Sequence, residues 1–415
     1  MGKPKIRFKG YEDDWEQRKL NEVAGKICVG FVGTCEKFYT DESGIPMYRT
    51  GNLNGLSLNR DDLKYVTNEF HQHNQKSQLK AGDILIARHG DSGKAVNYEN
   101  SEEANCLNIV IIRPDFKKCN YKFLTNCINS PECQKHIKSL SAGSTQAVIN
   151  TSEIEKLGVV IPANIDEQNR IARYFFTLDH LITLHQRKCE ETKSLKKYML
   201  QKMFPENGNC VPKIRFSGFA DDWEQRKLGS LCDVFTDGDW IEAKDQSDSG
   251  IRLVQTGNVG TTEYLDKKNN KKWISEETFE RLHCEEIYEG DILISRLPEP
   301  AGRACIMPDL GVRMITAVDC TIVRTSKGYD SKYLVQYLST PMYFKVVNSF
   351  LGGGTRQRIS RGNLSGIDIP IPSTIDEQGK IGELFANFDH LITLHQHKCD
   401  ELQKLKKFML QNMFV

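Results

Sequence analysis

The chain has 415 residues, of which 39% are hydrophobic and 27% are charged, and its formal net charge is +1 at pH 7. This length predicts two or more domains with real apolar cores, and the near-neutral charge excludes a uniformly basic protein. We expect a cytoplasmic protein, since no apolar stretch approaches the ~20 residues of a membrane helix, no signal peptide precedes the charged N-terminal segment, and the 13 cysteines form no C-x-x-C pair that would indicate a disulfide framework or a zinc knuckle.

The first recognisable element is an opening segment that occurs twice. Residues 4–20 have the sequence PKIRFKGYEDDWEQRKL, and residues 212–228 have the sequence PKIRFSGFADDWEQRKL. The copies lie about 208 residues apart, a spacing typical of a domain-scale duplication rather than of a solenoid.

After each opening segment comes a divergent stretch, at residues 23–162 and 231–372, which we predict to be mixed α/β. Short apolar runs at residues 84–86, 109–112 and 292–294 follow polar turns and suit buried strands. Residues 121–140 and 329–350 are predicted to be helical, punctuated by Pro131 and Pro341. A Gly/Ser/Thr loop and a short strand then end each stretch.

The clearest helix signal follows, behind Asp166-Glu167 and Asp376-Glu377, acidic pairs well placed for helix N-termini. Apolar residues then recur at alternating steps of four and three, the spacing of a coiled-coil seam. In the first copy the stripe comprises Ile171, Phe175, Leu178, Ile182, His185, Cys189, Thr192 and Met199; in the second it comprises Ile381, Phe385, Phe388, Ile392, His395, Cys399, Leu402 and Met409. Each predicted helix has about 36 residues, a length of about 54 Å, and we expect the two to pair antiparallel.

The order of these parts is cyclic. The first long helix leads through residues 205–208 into the second opening segment, and the second helix ends in a position to meet the first opening segment. We therefore predict an α+β (mixed α/β) protein with two modules in a pseudo-two-fold arrangement, separated by an antiparallel pair of long coiled-coil helices.

Two variable modules that alternate with two conserved helices resemble the specificity subunit of type I restriction–modification systems. Three repeated motifs carry the resemblance over essentially the whole chain: the D-D-W-E-x-R-K-L opening, the I-P-x-I-D-E-Q-like junctions at residues 161–168 and 371–378, and the L-K-K-[YF]-M-L-Q tail. The resemblance implies target recognition domains at residues 1–162 and 209–372, called here the first and second modules, and spacer helices at residues 163–208 and 373–415.

The resemblance also implies the partners. Each module would bind one half of a split, asymmetric sequence in double-stranded DNA, and the helices would set the gap and dock two methyltransferase subunits. S-adenosylmethionine would belong to the methyltransferase, and ATP and magnesium to two restriction/translocase subunits of the full phage-defence complex. No cofactor is expected in this chain.

Candidate DNA contacts occupy equivalent places in the two modules. Arg49, Asn52, Gln255 and Asn258 belong to T-G-N turns, where a turn role or a phosphate contact is favoured over base recognition. For Arg88, His89 and Arg296, which follow the strands G-D-I-L-I, closing the strand end and contacting DNA are equally compatible with the sequence.

The Gly/Ser/Thr loops are the stronger candidates, because glycine lets a backbone approach DNA closely. They contain Ser144, Thr145 and Gln146 in the first module and Thr355, Arg356, Gln357 and Arg358 in the second. The alternative is an ordinary surface loop.

Other tempting residues have structural interpretations. Trp15 and Trp223 are predicted to pack the opening segments against the helices, and Asp179-His180 and Asp389-His390 to serve a helix interface or a cap rather than catalysis. The lysines of residues 193–197 and 404–407 form either a solvated face or a contact with methyltransferase or DNA.

Catalytic motifs are missing from the sequence, so the chain is predicted not to be an enzyme. It lacks [DNS]-P-P-[YFW] for adenine methylation and a complete phosphate-binding loop at Gly90–Lys94. His71-x-His73 and His395-x-His397 lack matching metal ligands. An orphan DNA-recognition protein of another defence system and a coiled-coil adaptor that binds only proteins remain alternatives.

Overall fold

The structure, a computed structural model, describes residues 2–53, 57–88, 93–141, 149–206, 209–351 and 357–415. The chain divides into two compact units, which are treated separately below. Unit 1 comprises residues 1–186 and 397–415, and unit 2 comprises residues 187–396. Each unit therefore combines one module with parts of both long helices.

Unit 1 is a mixture of short strands and helices. Its elements in chain order are β1 (Glu16–Lys19), α1 (Leu20–Val23), β2 (Ala24–Val29), β3 (Tyr39–Thr40), β4 (Ile45–Arg49), β5 (Lys64–Val66), α2 (Asn68–His73), β6 (Asp83–Ala87), β7 (Ala95–Tyr98), β8 (Asn105–Leu107), β9 (Ile109–Pro114), α3 (Tyr121–Ile128), α4 (Pro131–Ser141), α5 (Thr151–Glu155), β10 (Gly158–Ile161) and the first part of α6 (Ile165–Lys202). The strands form the sheets β2-β9-β6-β7 and β3-β5-β4-β8 and the antiparallel pair β1-β10. Only β4 and β8 pair in parallel among these described strands.

The sheet β2-β9-β6-β7 separates two cores in unit 1. Side chains alternate along a strand, so Ile84 and Ile86 face a large core shared with the helices, whereas Leu85 between them faces a smaller core with Tyr48. The predicted buried strands at residues 84–86 and 109–112 are thereby confirmed, because both faces of the sheet are covered.

Unit 2 repeats this plan. Its elements are the remainder of α6, then β11 (Glu224–Lys227), β12 (Cys232–Asp237), β13 (Gln246–Ser247), β14 (Ile251–Val254), β15 (Lys272–Ile274), α7 (Glu276–Leu282), β16 (Glu286–Ile287), β17 (Ile292–Ser295), β18 (Ala304–Ile306), β19 (Met314–Thr316), β20 (Cys320–Thr325), α8 (Ser331–Tyr337), α9 (Pro341–Ser349), α10 (Arg361–Ser365), β21 (Asp368–Ile371) and most of α11 (Ile375–Asn412). The sheets are β12-β20-β17-β18 and β13-β15-β14-β19-β16, with the pair β11-β21. The mixed fold and the duplication predicted from the sequence are confirmed.

The predicted helices of the modules are each split in two. In unit 1 the break at residues 129–130 precedes Pro131, and in unit 2 the break at residues 338–340 precedes Pro341. Proline fits the first turn of a helix but disfavours helical conformation at the residue before it. Thr340 caps the second helix by accepting a hydrogen bond from Tyr343 N at 3.3 Å.

The two long helices have 38 residues each and lie side by side within each unit. In unit 1, Phe175 of α6 contacts Phe414 just beyond α11, and Asp179 pairs with Lys406 at 2.5 Å. Residue numbers rise along α6 while they fall along the partner, so the pairing is antiparallel, as predicted. Unit 2 has the equivalent Lys196–Asp389 pair at 2.5 Å.

The chain ends meet inside unit 1. Ile6 N donates to Asn412 O at 2.9 Å, and the equivalent bond in unit 2 joins Ile214 N to Lys202 O at 2.9 Å. The opening segment therefore follows the end of a long helix in both units, which confirms the predicted cyclic order. Among the described residues no helix is both long and apolar enough to cross a membrane.

Candidate nucleic-acid interface

The I-D-E-Q junction and the opening segment together attach each module to its long helix, and this attachment is termed the mount. In unit 1, Glu167 accepts hydrogen bonds from Arg7 Nε at 2.7 Å and Nη2 at 2.8 Å, and its carboxylate is fully buried. In unit 2, Arg215 and Glu377 form the same paired bonds, at 2.6 and 2.8 Å. These hydrogen bonds with the carboxylates raise the pKa of both arginines, so the mount is a charged clamp in each unit.

The glutamine of the same junction attaches the module's helix. Gln168 accepts from Asn120 N at 2.9 Å and donates to Pro162 O at 2.9 Å. Gln378 makes the equivalent bonds with Asp330 N at 3.0 Å and Pro372 O at 3.2 Å. The I-D-E-Q motif thus fixes the position of each module on its long helix, which is a structural role.

Trp15 and Trp223 complete the mounts. Trp15 is buried against Phe123 and Phe414 and donates from Nε1 to Glu167 at 3.4 Å. Trp223 is buried against Phe204 and Tyr333. The prediction that these tryptophans pack rather than stack on DNA is confirmed.

The T-G-N turns are held by their own asparagines. Asn52 Oδ1 accepts from Arg49 N at 2.8 Å, and Asn258 Oδ1 accepts from Gln255 N at 3.0 Å. Both asparagines are buried, so their side chains shape the turn, whereas Arg49 and Gln255 are half-buried. Arg49 Nη2 donates to Asp62 Oδ2 at 2.8 Å. A DNA contact by any of the four residues stays a prediction.

Arg88 and Arg296 occupy equivalent strand ends. Arg88 O accepts from Ile149 N at 3.2 Å, and Arg296 O accepts from Ile359 N at 3.2 Å. The Arg296 guanidinium is buried, donates to Val318 O at 2.6 Å and lies 3.3 Å from Asp237 Oδ2. Of the two roles left open by the sequence, the geometry of Arg296 supports closing the strand end.

The Gly/Ser/Thr loops are described only in part. His89, Ser144, Thr145, Gln146, Thr355 and Arg356 lie outside the described residues. Gln357 and Arg358 are described, and both are exposed. Arg358 Nη1 donates to Asp319 Oδ1 at 3.3 Å, so the structure brings this arginine to the strand end that Arg296 closes.

Arg303 ties several loops of the second module together and was not identified from the sequence. It donates to Val259 O at 2.7 Å, Thr256 O at 2.9 Å, Leu297 O at 2.8 Å and Pro300 O at 3.0 Å. Burial lowers the pKa of its guanidinium. One arginine thus ties the T-G-N turn to the loop after β17, and no local motif marks such long-range bonds to backbone carbonyls.

Sequence reasoning also missed Trp240 and Arg361 of the second module. Trp240 is 70% exposed, an unusual position for the largest side chain, and Arg361 lies 4.0 Å from Asp237. A residue-by-residue comparison of the two modules would have singled out both, because Val32 and Thr151 stand at the equivalent places.

The structure shows the role of the two aspartates of the Asp-His pairs and of one lysine from each lysine cluster. Asp179 and Asp389 pair with Lys406 and Lys196, and Gln336 also donates to Asp389 at 2.8 Å. The predicted interface role of the aspartates is confirmed. Lys196 and Lys406 are mostly buried against the neighbouring helix, so neither of the two alternatives proposed for the clusters, solvated face or partner contact, holds for these two lysines.

In the described part of the chain no group of three or more potential metal ligands comes together. His71 Nδ1 lies 2.6 Å from Asn105 Oδ1, and His73 Nδ1 lies 2.8 Å from Glu69 O. These two histidines therefore have protein partners.

Exposed apolar side chains recur at equivalent positions of the long helices. Unit 1 presents Ile165, Leu184, Leu405 and Phe408, and unit 2 presents Ile375, Leu394, Leu195 and Tyr198. A single exposed apolar residue needs no explanation. The recurrence follows the duplication of the helix sequence, so each unit carries the same set of exposed apolar side chains.

Comparison with known proteins agrees with this geometry. The family model for the type I restriction modification DNA specificity domain matches the chain twice, at residues 12–194 and 220–404. The putative type I restriction enzyme MjaX specificity subunit of Methanocaldococcus jannaschii is 24% identical over 413 residues, which cover 95% of this chain and 91% of the relative. The MjaVIII specificity subunit of the same organism is 21% identical over 286 residues, 66% of this chain and 65% of that one.

A solved structure has the same fold over the whole chain. The S subunit of a type I restriction-modification system from M. genitalium superposes with a TM-score of 0.66 at 14% identity and covers 100% of this chain and 99% of its own. At this identity the likeness concerns the fold alone.

Proposed function

Because the chain belongs to the family of type I restriction–modification DNA specificity proteins, we propose that it recognises a bipartite, asymmetric DNA sequence. Residues 1–162 would bind one half-site and residues 209–372 the other. The observation that carries the proposal is the contrast between equivalent mounts and different loops: Arg7–Glu167 corresponds to Arg215–Glu377, whereas Trp240 and Arg361 of the second module are replaced by Val32 and Thr151 in the first. Two modules that are attached in the same way but differ in their loops suit two half-sites of different sequence.

The DNA-contacting surface of each module would combine its T-G-N turn with the Gly/Ser/Thr loop and the strand end between them. These parts supply backbone amides, amide side chains and arginines, the groups that contact phosphates and base edges. The net charge of +1 is low for a protein that binds DNA alone. Partner subunits would therefore share the phosphate contacts, and recognition would be strongest in the assembled complex.

The partners would be two adenine-methyltransferase subunits that dock on the exposed apolar residues of the long helices. Since these residues recur in both units, the chain offers two equivalent docking surfaces, one for each copy. Two restriction/translocase subunits would join through the methyltransferases, and the methyl transfer and cleavage would be theirs. DNA as the ligand also supports a cytoplasmic location.

Adenine methylation mapping of a host genome tests the proposal. The chain would be expressed with its cognate methyltransferase in a host that lacks other adenine methylation. We expect one split motif with two unlike halves and a fixed gap. Methylation without any sequence preference would instead favour an adaptor that binds only proteins, and a lack of association with a methyltransferase would favour an orphan DNA-recognition protein of another defence system.

A further inference from the structure

At one sheet edge the second module carries exposed arginine and tryptophan side chains that the described residues of the first module lack at the equivalent edge. At this edge β12 ends at Asp237 and β20 begins at Cys320, and Gly238 N donates to Cys320 O at 2.9 Å. Strand β17 ends beside them, because Ser295 pairs with Cys320. Arg296, which follows β17, donates from its backbone N to Asp319 O at 2.9 Å.

Two arginines at this edge lie beside carboxylates. Arg358 Nη1 donates to Asp319 Oδ1 at 3.3 Å, and Arg361 Nη1 lies 4.0 Å from Asp237 Oδ2. The Arg358 side chain is 56% exposed, and a guanidinium has five N–H donors, so one bond to Asp319 leaves others directed to solvent. A carboxylate that restricts a flexible arginine lowers the entropy lost when the arginine binds a ligand.

The charges at the edge leave a cationic surface. Arg296, Arg358 and Arg361 face Asp237 and Asp319, and the buried Arg296 guanidinium already lies 3.3 Å from Asp237. The two guanidinium groups are therefore the more accessible charges, because the Arg358 and Arg361 side chains are 56% and 49% exposed and those of Asp319 and Asp237 are 30% and 21% exposed.

Trp240 adds a large aromatic face close to this edge. The backbone of Asp239, the residue before it, accepts from Val318 N at 2.9 Å, next to Asp319. Exposed tryptophan is rare on a free surface and is enriched with arginine at binding surfaces. The Trp240 indole donates from Nε1 to Glu242 Oε1 at 3.4 Å, and the backbone bond of Asp239 ties its segment to the edge that carries the two arginines.

The first module is different at each of these positions. Backbone bonds establish the equivalence: Phe31 N donates to Cys106 O as Asp239 N donates to Thr316 O, and Ile149 N donates to Arg88 O as Ile359 N donates to Arg296 O. Val32 therefore corresponds to Trp240, and Thr151 corresponds to Arg361. Asp319 lies in a turn that is longer than its counterpart, where Asn108 alone separates β8 from β9.

We propose that Arg358, held by Asp319, recognises a guanine in the half-site bound by the second module, with Arg361 and Trp240 completing the contact. The inference rests on the proposed function and adds the chemistry of one half-site. Arginine donates two parallel hydrogen bonds to O6 and N7 of guanine in the major groove, the commonest specific contact between a protein and a base. The other DNA-facing role, a phosphate contact, needs only the positive charge.

The substitutions Arg358→Lys and Arg358→Ala separate these roles. Each variant is expressed with the cognate methyltransferase, and the methylated adenines are mapped across the host genome. We expect both variants to lose preference for guanine at one position of one half-site, with discrimination falling about ten-fold or more. The other half-site keeps its sequence. Asp319→Asn is expected to weaken the same position to a smaller extent.

Arg226→Ala is the matched control, since Arg226 is also an exposed arginine with one carboxylate partner, Glu224, in the same unit. It is expected to leave the motif unchanged. A wild-type motif in the Arg358→Lys variant overturns the guanine contact, because lysine supplies a positive charge but not the two parallel N–H donors of a guanidinium. This holds even if the Arg358→Ala variant is inactive. A wild-type complex that shows no bipartite motif contradicts the proposed function instead.

Discussion

Glu167 accepts two hydrogen bonds from Arg7, 160 residues away in the sequence, and its carboxylate is fully buried. The pair joins the start of the chain to the first turn of α6, and Arg215 and Glu377 repeat it in the other unit. A charge inside a protein is stable only with a partner. These two clamps therefore place each module on its helix.

Replacing Glu167 by Gln should destabilise unit 1 strongly. The substitution leaves the mostly buried Arg7 without a counter-charge, a loss of about 3 kcal/mol or more in the free energy of unfolding. Urea denaturation followed by far-UV circular dichroism measures the change. Glu16→Gln, which removes the exposed partner of Arg18, is the control and should cost less than about 1 kcal/mol. Equal effects of the two variants would show that the clamp is not important for stability.

Lys196 and Asp389 should be energetically coupled. Their atoms lie 2.5 Å apart in a mostly buried contact between the two long helices. A double-mutant cycle with Lys196→Met and Asp389→Asn should give a coupling of about 1–3 kcal/mol in the free energy of unfolding. The exposed Arg187–Glu191 pair provides the comparison, where we expect about 0.5 kcal/mol or less. Additive effects at Lys196 and Asp389 would contradict the role of the pair in joining the helices.

Tyr198 and Phe408 should each control the binding of one methyltransferase subunit. Both side chains are about half exposed, at 50% and 51%, and they stand at equivalent positions of the two helices. Tyr198→Asp or Phe408→Asp should each reduce the complex from two methyltransferase copies to one, and the double variant to none, as measured by native mass spectrometry. Arg226→Ala, at an exposed arginine outside the long helices, should retain both copies. Two bound copies in the double variant would place the docking surface elsewhere.

Cysteine alkylation should modify the exposed Cys210 much faster than the buried thiols. Cys210 is exposed, whereas burial raises the pKa of Cys119 and of Cys305 to about 12. The thiolate is the nucleophile, so at pH 8 iodoacetamide should label Cys210 within minutes and leave Cys119 and Cys305 unlabelled until the protein unfolds. Peptide mass mapping gives the result. Rapid labelling of Cys305 in the native protein would contradict the packing of the second module.

The sequence predicted the parts of the molecule that depend on local periodicity. The four-and-three spacing that includes Phe175 and Phe385 was sufficient to identify the long helices and their buried stripe, because side chains three and four apart share one helix face. The repeated opening segments were sufficient to predict the duplication and the meeting of Ile6 with the end of α11.

The side-chain contacts within the modules could not be predicted from local periodicity or from the repeats. Arg303 binds four backbone carbonyls from separate loops, and Lys196 lies buried because the facing helix supplies Asp389. Both depend on which segments the fold brings together, and single-sequence patterns do not contain that information. Trp240 lies in a divergent loop, where only an alignment of the two modules reveals its position.

Exchange of one module tests the central claim most directly. Residues 212–370 would be replaced by the corresponding segment of a related subunit with a different target, and adenine methylation would be mapped in a host that expresses the chimera and its methyltransferase. One half-site should change to that of the donor, while the other half-site keeps its bases. A motif that changes in both halves, or in neither, would contradict independent recognition by two modules.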